Sequence, residues 1–380
     1  MRALLAFLCV TALLCAALLA RQDYRGGPSG GEPSLEAMAG QMILCGFRGT
    51  GESPLSEDLV NLLEDIRSGR VGGVILFNND AATGESGRNV TSLEQVGRLA
   101  ALLQKDAPVP LFVSVDQEGG RVRRLREEHG VPATPSAREL GAGGPRTTRF
   151  EAEKLGALLH AAGINLNFAP CLDVDVNPES PAIGDKGRSF SADPSAVAAH
   201  GKAFAEGLFS AGVIPCYKHF PGHGSAVADS HHGVTDISDT WIRAELEPYR
   251  EILPVTPPAM VMIGHVLHRE LSGTLPASLS SRAILEYLRG ELGWQGVVIT
   301  DDLQMQAVEG SLGREEALRL AVQAGVDILL SGNNLRHDPL EARTMHAVLV
   351  DLARRGEIPE ARIRESYRRI MALKEAAGLL

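Results

Sequence analysis

An α/β fold, a single (β/α)8 barrel of the TIM type, is predicted by three features of this 380-residue sequence. About eight apolar runs recur along it, each followed by a loop and an amphipathic stretch, at spacings of about thirty to fifty residues. The runs are apolar throughout instead of alternating, as parallel strands buried on both faces should be. The 41 glycines and the aromatic content of only 4% suit many tight strand-to-helix turns better than a helical bundle. A doubly wound open sheet is the alternative. No GxGxxG opens a helix after the first strand and no P-loop is present, so nucleotide binding has no support.

Met42–Phe47 and Val71–Phe77 are the first strand candidates, and Leu55–Ser68 between them places Leu59, Leu62, Leu63 and Ile66 at helical spacing. Leu111–Asp116 and Ile164–Pro170 come next, with helical patterns at Leu93–Lys105 and Glu151–Ala162. Val213–Phe220, Ala259–Val266, Val297–Asp301 and Val326–Leu330 complete the eight. The helices around them are Ser195–Ala211, Trp241–Leu253, Arg282–Leu292, Arg314–Ala324 and Leu340–Arg354. No boundary of a second domain is visible after residue 35, so residues 35–380 are read as one catalytic barrel.

The N-terminus is a separate object. Residues 1–20 combine Arg2 with an uncharged stretch from Ala3 to Ala20, which reads as a signal peptide or membrane anchor. Residues 21–34, rich in Gly, Pro and Ser, read as a flexible linker. The expected location is therefore exported, periplasmic or membrane-anchored; a cytoplasmic enzyme with an over-extended start is the alternative. The net charge of −10 lacks the basic footprint of a nucleic-acid binder. Cys9, Cys15, Cys45, Cys171 and Cys216 are odd in number and contain no CxxC, so neither a disulfide framework nor a cysteine zinc site is indicated.

Catalytic groups of a barrel sit where strands end and the succeeding loops begin. The unusual polar clusters fall at such places: Asp116-Gln117-Glu118-Gly119-Gly120-Arg121-Val122-Arg123-Arg124 after the third strand, and Asp173 with Gly187-Arg188-Ser189-Phe190 after the fourth. The fifth strand ends in Lys218-His219-Phe220-Pro221-Gly222-His223-Gly224, followed by Asp229-Ser230-His231-His232. His265 ends the sixth, and Thr300-Asp301-Asp302-Leu303-Gln304-Met305 the seventh.

Asp301 comes directly after Val297-Val298-Ile299-Thr300. A carboxylate at the tip of a buried strand is held rigidly at the barrel mouth, which suits a nucleophile or an electrostatic stabiliser of a cation. Strand alternation turns only one of Asp301 and Asp302 toward the axis, and Asp302 is read as the cap of the next helix. Asp229 lies two residues before His231, close enough to hydrogen-bond the imidazole and raise its basicity. Gly222, Gly224 and Gly233 bound that loop and are expected to let it move. His219, His223, Asp229, His231 and His232 are metal-ligand types, but they lack HExxH spacing and share a loop broken by Pro and Gly, so no metal is expected.

Taken together, Lys218–Gly224 with Asp229–His231, Val115–Val122 and Thr300–Met305 resemble three signatures of glycoside hydrolase family 3, in its bacterial β-N-acetylhexosaminidase branch. The resemblance runs from about residue 35 to the end. It implies Asp301 as nucleophile and His231, paired with Asp229, as general acid/base in place of a carboxylic acid. It places Asp116, Arg124, Arg188, Lys218 and His219 around a GlcNAc ring. One departure concerns Ile183-Gly184-Asp185-Lys186-Gly187-Arg188-Ser189-Phe190, two residues longer than the branch's usual Ile-Gly-x-Arg-Ser-Phe, which leaves the placing of Arg188 open.

The function implied is retaining exo-β-N-acetylglucosaminidase action, removing terminal β-linked GlcNAc from cell-wall muropeptides or chitooligosaccharides with no cofactor, by a monomer. Family members with β-glucosidase activity usually add a second α/β domain. A family 3 β-glucosidase and a GlcNAc phosphorylase are the nearest alternatives. A non-catalytic sugar-binding barrel and a metal-dependent amidohydrolase-like barrel are more distant ones.

Overall fold

Eight parallel strands lie side by side: β1 (Ile43–Gly46), β2 (Gly73–Leu76), β3 (Phe112–Val115), β4 (Leu166–Asn167), β5 (Ile214–Phe220), β6 (Met260–Ile263), β7 (Val297–Thr300) and β8 (Leu329–Ser331). The order across the sheet is β7-β6-β5-β4-β3-β2-β1-β8, and every named pair is parallel. The two ends of the sheet meet. Ile299 of β7 bridges Ile328 just before β8, and the Thr300 and Ile328 N–H groups donate across the seam at 3.1 and 3.0 Å. An α/β barrel with a nearly closed ring is the result, as the recurring apolar runs predict. The structure is a computed structural model that describes residues 32–228, 233, 235–309 and 312–380. The signal or anchor segment 1–20 and nearly all of the linker lie outside the described residues, and so do Asp229 and His231. Among the described residues no helix is long and apolar enough to cross a membrane.

The strands are apolar because helices cover the sheet outside and side chains fill it inside; all four residues of β1, β2, β3, β6 and β7 are buried. The covering helices show how the sequence does this. Glu57–Arg67 begins at Ser56, whose Oγ accepts the Leu59 N–H at 3.3 Å, and it buries Leu59, Leu62 and Ile66 against the sheet. Each such side chain contributes about 1.5–3 kcal/mol by leaving water.

Several bounds differ from expectation. The helix expected from Glu151 starts at Pro145, in the first turn, where the missing N–H is no loss and the ring presets φ. Trp241–Leu253 divides into short helices Arg243–Leu246, Glu247–Ile252 and Leu253–Val255, with Pro248 and Pro254 in their first turns. Arg282–Glu291 takes a π-helical path. Among the helices that were not expected are Leu35–Gln41 before β1, Ala137–Gly141, Gln306–Glu309 and Glu360–Ala376 at the end.

That last helix plugs the N-terminal end of the barrel. Lys374 is fully buried, and its ammonium donates to Gln41 Oε1 (2.7 Å), Pro110 O (2.6 Å) and Gly72 O (3.3 Å) while lying 4.5 Å from the centre of the Phe112 ring. Burial pulls its pKa down to about 7. A folded value below the unfolded one means that the unfolded chain holds a proton the folded chain has released, between about pH 7 and about 10.4. Stability is therefore expected to rise with pH across that window, and Lys374→Met to flatten the rise. Urea melts of both proteins at pH 7 and pH 9 check this; parallel slopes would contradict it.

Candidate active site

The C-terminal ends of the strands open into a cavity of about 420 Å³, lined by Asp116, Arg124, Arg188, Lys218, His219, Asp301 and Asp302 over an apolar floor that includes Ile75, Phe168, Met262 and Leu330. That volume is within the range of small-molecule sites. Asp116 comes directly after β3, and the chain then doubles back as a hairpin of Gln117–Gly119 against Val122–Arg123. Gln117 pins the hairpin: its Oε1 accepts the N–H groups of Arg124 (2.8 Å) and Leu125 (2.9 Å), and its Nε2 donates to Leu125 O (2.8 Å). Arg124 is thereby carried back to Asp116, and its Nη2 donates to Asp116 Oδ2 at 3.1 Å.

Lys218 reaches the same carboxylate from β5, with Nζ donating to Asp116 Oδ1 at 2.8 Å and lying 2.7 Å from Glu118 Oε1. Arg188 grips Glu118 with both arms of its guanidinium, Nε to Oε2 at 2.9 Å and Nη2 to Oε1 at 2.6 Å. Its Nη2 also donates to His219 Nε2 at 3.2 Å, and Nη1 to Ala182 O at 3.0 Å. The longer loop thus still delivers Arg188 to the cavity. Its extra residues are absorbed in turns, Asp185 N–H to Ser180 O (2.9 Å) and Arg188 N–H to Ile183 O (3.1 Å). Exposed Asp185 pairs with Arg121 at 3.2 Å, and Lys186 joins the cavity lining.

His219 is held from behind. Its Nδ1–H donates to Asp173 Oδ2 at 2.7 Å, leaving Nε2 to accept from Arg188. Asp173 is fully buried and also accepts from the His223 N–H (2.7 Å) and Cys171 Sγ (2.8 Å). These charges set one another. Burial alone raises the Asp116 carboxyl, but Lys218 and Arg124 outweigh it and the net shift is downward. Burial likewise opposes Glu118, and Arg188 and Lys218 carry it well below the usual carboxylate range. Lys218 is raised in turn, because Asp116 and Glu118 outweigh its desolvation. His223 is lowered to about 4, chiefly by burial.

At the tip of β7 the Asp301 N–H donates to Ile263 O at 3.0 Å, which fixes its backbone, and its Oδ1 accepts the next N–H at 2.8 Å. Asp302 Oδ1 accepts from the N–H groups of Gln304 (3.0 Å) and Gly332 (2.8 Å), so its carboxylate is engaged in shaping the loop. His265, two residues past β6, supports this turn. Its Nε2 donates to Asp302 O at 3.0 Å, with Ser278 Oγ at 2.6 Å from Nδ1.

Of the residues expected around a sugar, Asp116, Arg124, Arg188, Lys218 and His219 come together as one network, and Asp301 shares their cavity. Asp229 and His231 are not among the described residues. Lys218 and Arg188 direct donors to Glu118, a residue given no role from the sequence although it lies two positions from Asp116. Asp173, a lone acid in the apolar stretch Ala169–Val174 that the sequence places after the fourth strand, was likewise given no role. Among the described residues one set of metal-ligand atoms is drawn together, Cys171 Sγ, Asp173 Oδ2 and His219 Nδ1. They are joined by hydrogen bonds, and burial together with the Asp173 charge pushes the Cys171 thiol well up, which disfavours the thiolate a metal would need.

A parallel barrel whose C-terminal mouth holds a strand-tip carboxylate beside a ring of fixed acceptors and donors defines an enzyme acting on a small polar substrate. Residues 35–373 match the family described as glycosyl hydrolase family 3 N terminal domain, and the chain belongs to that family. It is 32% identical over 367 residues to Beta-hexosaminidase A of Pseudoalteromonas piscicida, covering 89% of this chain and 60% of that protein. The structure resembles a glycoside hydrolase family 3 β-N-acetylglucosaminidase from a Paenibacillus species with a TM-score of 0.81 and 36% identity, covering 92% of this chain and 63% of that one. It also resembles the β-N-acetylhexosaminidase from Beutenbergia cavernae with a TM-score of 0.77 and 31% identity, covering 90% of this chain and 99% of that one. The chain thus spans under two thirds of the length of the first two relatives and nearly the whole of the third.

Proposed function

We propose that this glycoside hydrolase is a retaining exo-β-N-acetylglucosaminidase. The observation that carries the reading is Asp301, anchored at the tip of β7 in the same 420 Å³ cavity as the Asp116–Lys218–Arg124 cluster. The names of the three relatives support the substrate. A retaining mechanism needs a carboxylate beneath the anomeric carbon and a proton donor above the leaving oxygen. Asp301 attacks the anomeric carbon, the C–O bond to the aglycone breaks, and the leaving oxygen takes a proton from His231. Water then gives its proton back to His231 as it releases the sugar from Asp301. Asp229 is assigned the task of orienting His231. Asp116 accepts sugar hydroxyls while Arg124, Arg188 and His219 form the wall, and apolar Phe168 and Met262 meet the ring's carbon face.

The substrates proposed are muropeptide fragments or chitooligosaccharides, in cell-wall turnover, cleaved by a monomer. Residues 1–20 are proposed to direct export or anchoring. The test compares nitrophenyl GlcNAc with nitrophenyl glucose, with and without phosphate. GlcNAc released first as the β-anomer, and little turnover of the glucoside, is the expected result. Preference for glucose moves the assignment to a β-glucosidase, and GlcNAc-1-phosphate formed with faster turnover moves it to a phosphorylase. His231→Ala is expected to slow a natural disaccharide by about 10² or more and an activated aryl glycoside far less, because a good leaving group needs little proton assistance. Equal losses on both substrates contradict the acid/base role.

A further inference from the structure

Five lysine and arginine side chains line the cavity, against the three carboxylates Asp116, Asp301 and Asp302. Two acids outside the lining restore the balance. Asp185 answers Arg121 at the exposed rim, at 3.2 Å, and Glu118 answers Arg188 and Lys218 from inside the wall. With these two, the described Asp, Glu, Lys and Arg groups stand five against five. Glu118 is built into its place. Asn167 of β4 clamps the backbone just before it, accepting the Gln117 N–H on Oδ1 at 3.0 Å and donating from Nδ2 to Gln117 O at 2.9 Å. Just after it, Gly119 has φ of +100°, and a Cβ there would overlap Pro135 O. The Glu118 side chain is buried and lines no part of the cavity. Both of its oxygens are taken, by Nε and Nη2 of Arg188 at 2.9 and 2.6 Å and by Nζ of Lys218 at 2.7 Å.

We propose that Glu118 is a specificity-determining positioning residue: it holds Arg188 and Lys218 in place and cancels their charge, so that the cavity takes a neutral sugar ring in preference to a small anion. This rests on the reading of the cavity as a sugar site. Hydroxyl and acetamide groups are bound by fixed hydrogen-bond donors, whereas a sulfate or phosphate is bound by uncompensated positive charge. Glu118 supplies the first condition and removes the second. Its fork on Arg188 also sets how Nη2 meets His219 Nε2 at 3.2 Å, so a third wall residue depends on this carboxylate. Arg188 and Lys218 in turn hold the Glu118 carboxyl well below the usual carboxylate range, so it is ionised at neutral pH. Without its charge Arg188 and Lys218 remain with Asp116, and the wall carries one positive charge in excess.

The test measures inhibition of nitrophenyl GlcNAc turnover by free GlcNAc and by sulfate, at an ionic strength held constant with chloride, for the native protein, Glu118→Gln and Glu118→Asp. Glu118→Gln, alike in shape but uncharged, is expected to bind sulfate at least about tenfold more tightly than the native protein and GlcNAc about fivefold or more weakly. Glu118→Asp keeps the charge and withdraws it by one methylene. It is expected to leave the sulfate constant within about twofold of native while GlcNAc again weakens about fivefold. A general loosening of the hairpin would weaken both ligands and could not improve sulfate binding. Sulfate affinity unchanged or reduced in Glu118→Gln overturns the proposal. If Glu118→Gln fails to accumulate as folded protein, Glu118→Asp decides: GlcNAc affinity equal to native, or a gain in sulfate affinity, overturns it. Native protein that neither turns over nitrophenyl GlcNAc nor binds GlcNAc overturns the sugar reading, and this inference with it.

Discussion

Asp301→Ala is expected to lower kcat by at least about 10⁴-fold while the protein still folds. The loss is large because the proposed reaction forms its only covalent bond to this carboxylate, and no other group at the tip of β7 is available to replace it. Asp302 is committed to the N–H groups of Gln304 and Gly332. The fold survives because Asp301 is tied in through its own N–H to Ile263 O, a backbone bond that alanine keeps. Asp302→Ala should behave differently, losing about 1–2 kcal/mol of stability with its two backbone bonds and only part of the activity. Rates on nitrophenyl GlcNAc with melts of both variants decide between them. An active Asp301→Ala beside a dead Asp302→Ala would show that the nucleophile is the neighbouring carboxylate.

Lys218→Met should be the most destabilising change in the cavity wall, at about 3–5 kcal/mol, with activity lost as well. The Lys218 ammonium lies between Asp116 and Glu118 at 2.8 and 2.7 Å, and its removal leaves a half-buried and a buried carboxylate with one cation fewer. The sign of the shifts sets the pH dependence. In the native protein both acids are held below their ordinary values, Asp116 chiefly by Lys218 and Glu118 chiefly by Arg188 with Lys218. Their contribution to stability is present above the unfolded values, near about 4, and is lost as pH falls through the folded ones. Without Lys218 the two carboxyls take up protons more readily, so the gap between variant and native protein should narrow as pH drops from 7 toward 4. Urea melts at those two pH values test this, and a gap that stays constant would contradict it. Lys218→Arg should not restore activity, since a planar fork cannot occupy a point-charge site between two carboxylates.

The barrel was legible in the sequence because a parallel strand buried on both faces has no polar positions to blur it. β1, β2, β3, β6 and β7 lie inside the apolar runs that predict them. The placement of polar clusters was legible for a related reason. In a barrel charged residues collect where such runs end, at the last strand positions and in the loops beyond, so Asp116, Lys218, Arg188 and Asp301 announce a common mouth. Elements with weaker local signals were not legible. Glu360–Ala376 carries its buried Ile363, Tyr367, Ile370 and Met371 as a narrow stripe among many charges, and docking is what stabilises it as a helix. β4 is reduced to Leu166–Asn167 because pairing on both sides, not apolarity, decides how much of a run becomes ladder.

Residue type and strand position, read from sequence, are enough to say that Asp301, Asp116 and Lys218 belong to one polar mouth on an apolar barrel. They cannot say which charge answers which. Arg188 finds Glu118 across 70 residues, Lys218 finds Asp116 across 102, and His219 finds Asp173 across 46. Those partners are chosen when β3, β4 and β5 pair side by side in the sheet and their C-terminal ends come together. In water each of these charges would be satisfied alone; in the buried wall only a paired charge is tolerated, and the neighbouring strand ends supply the pair.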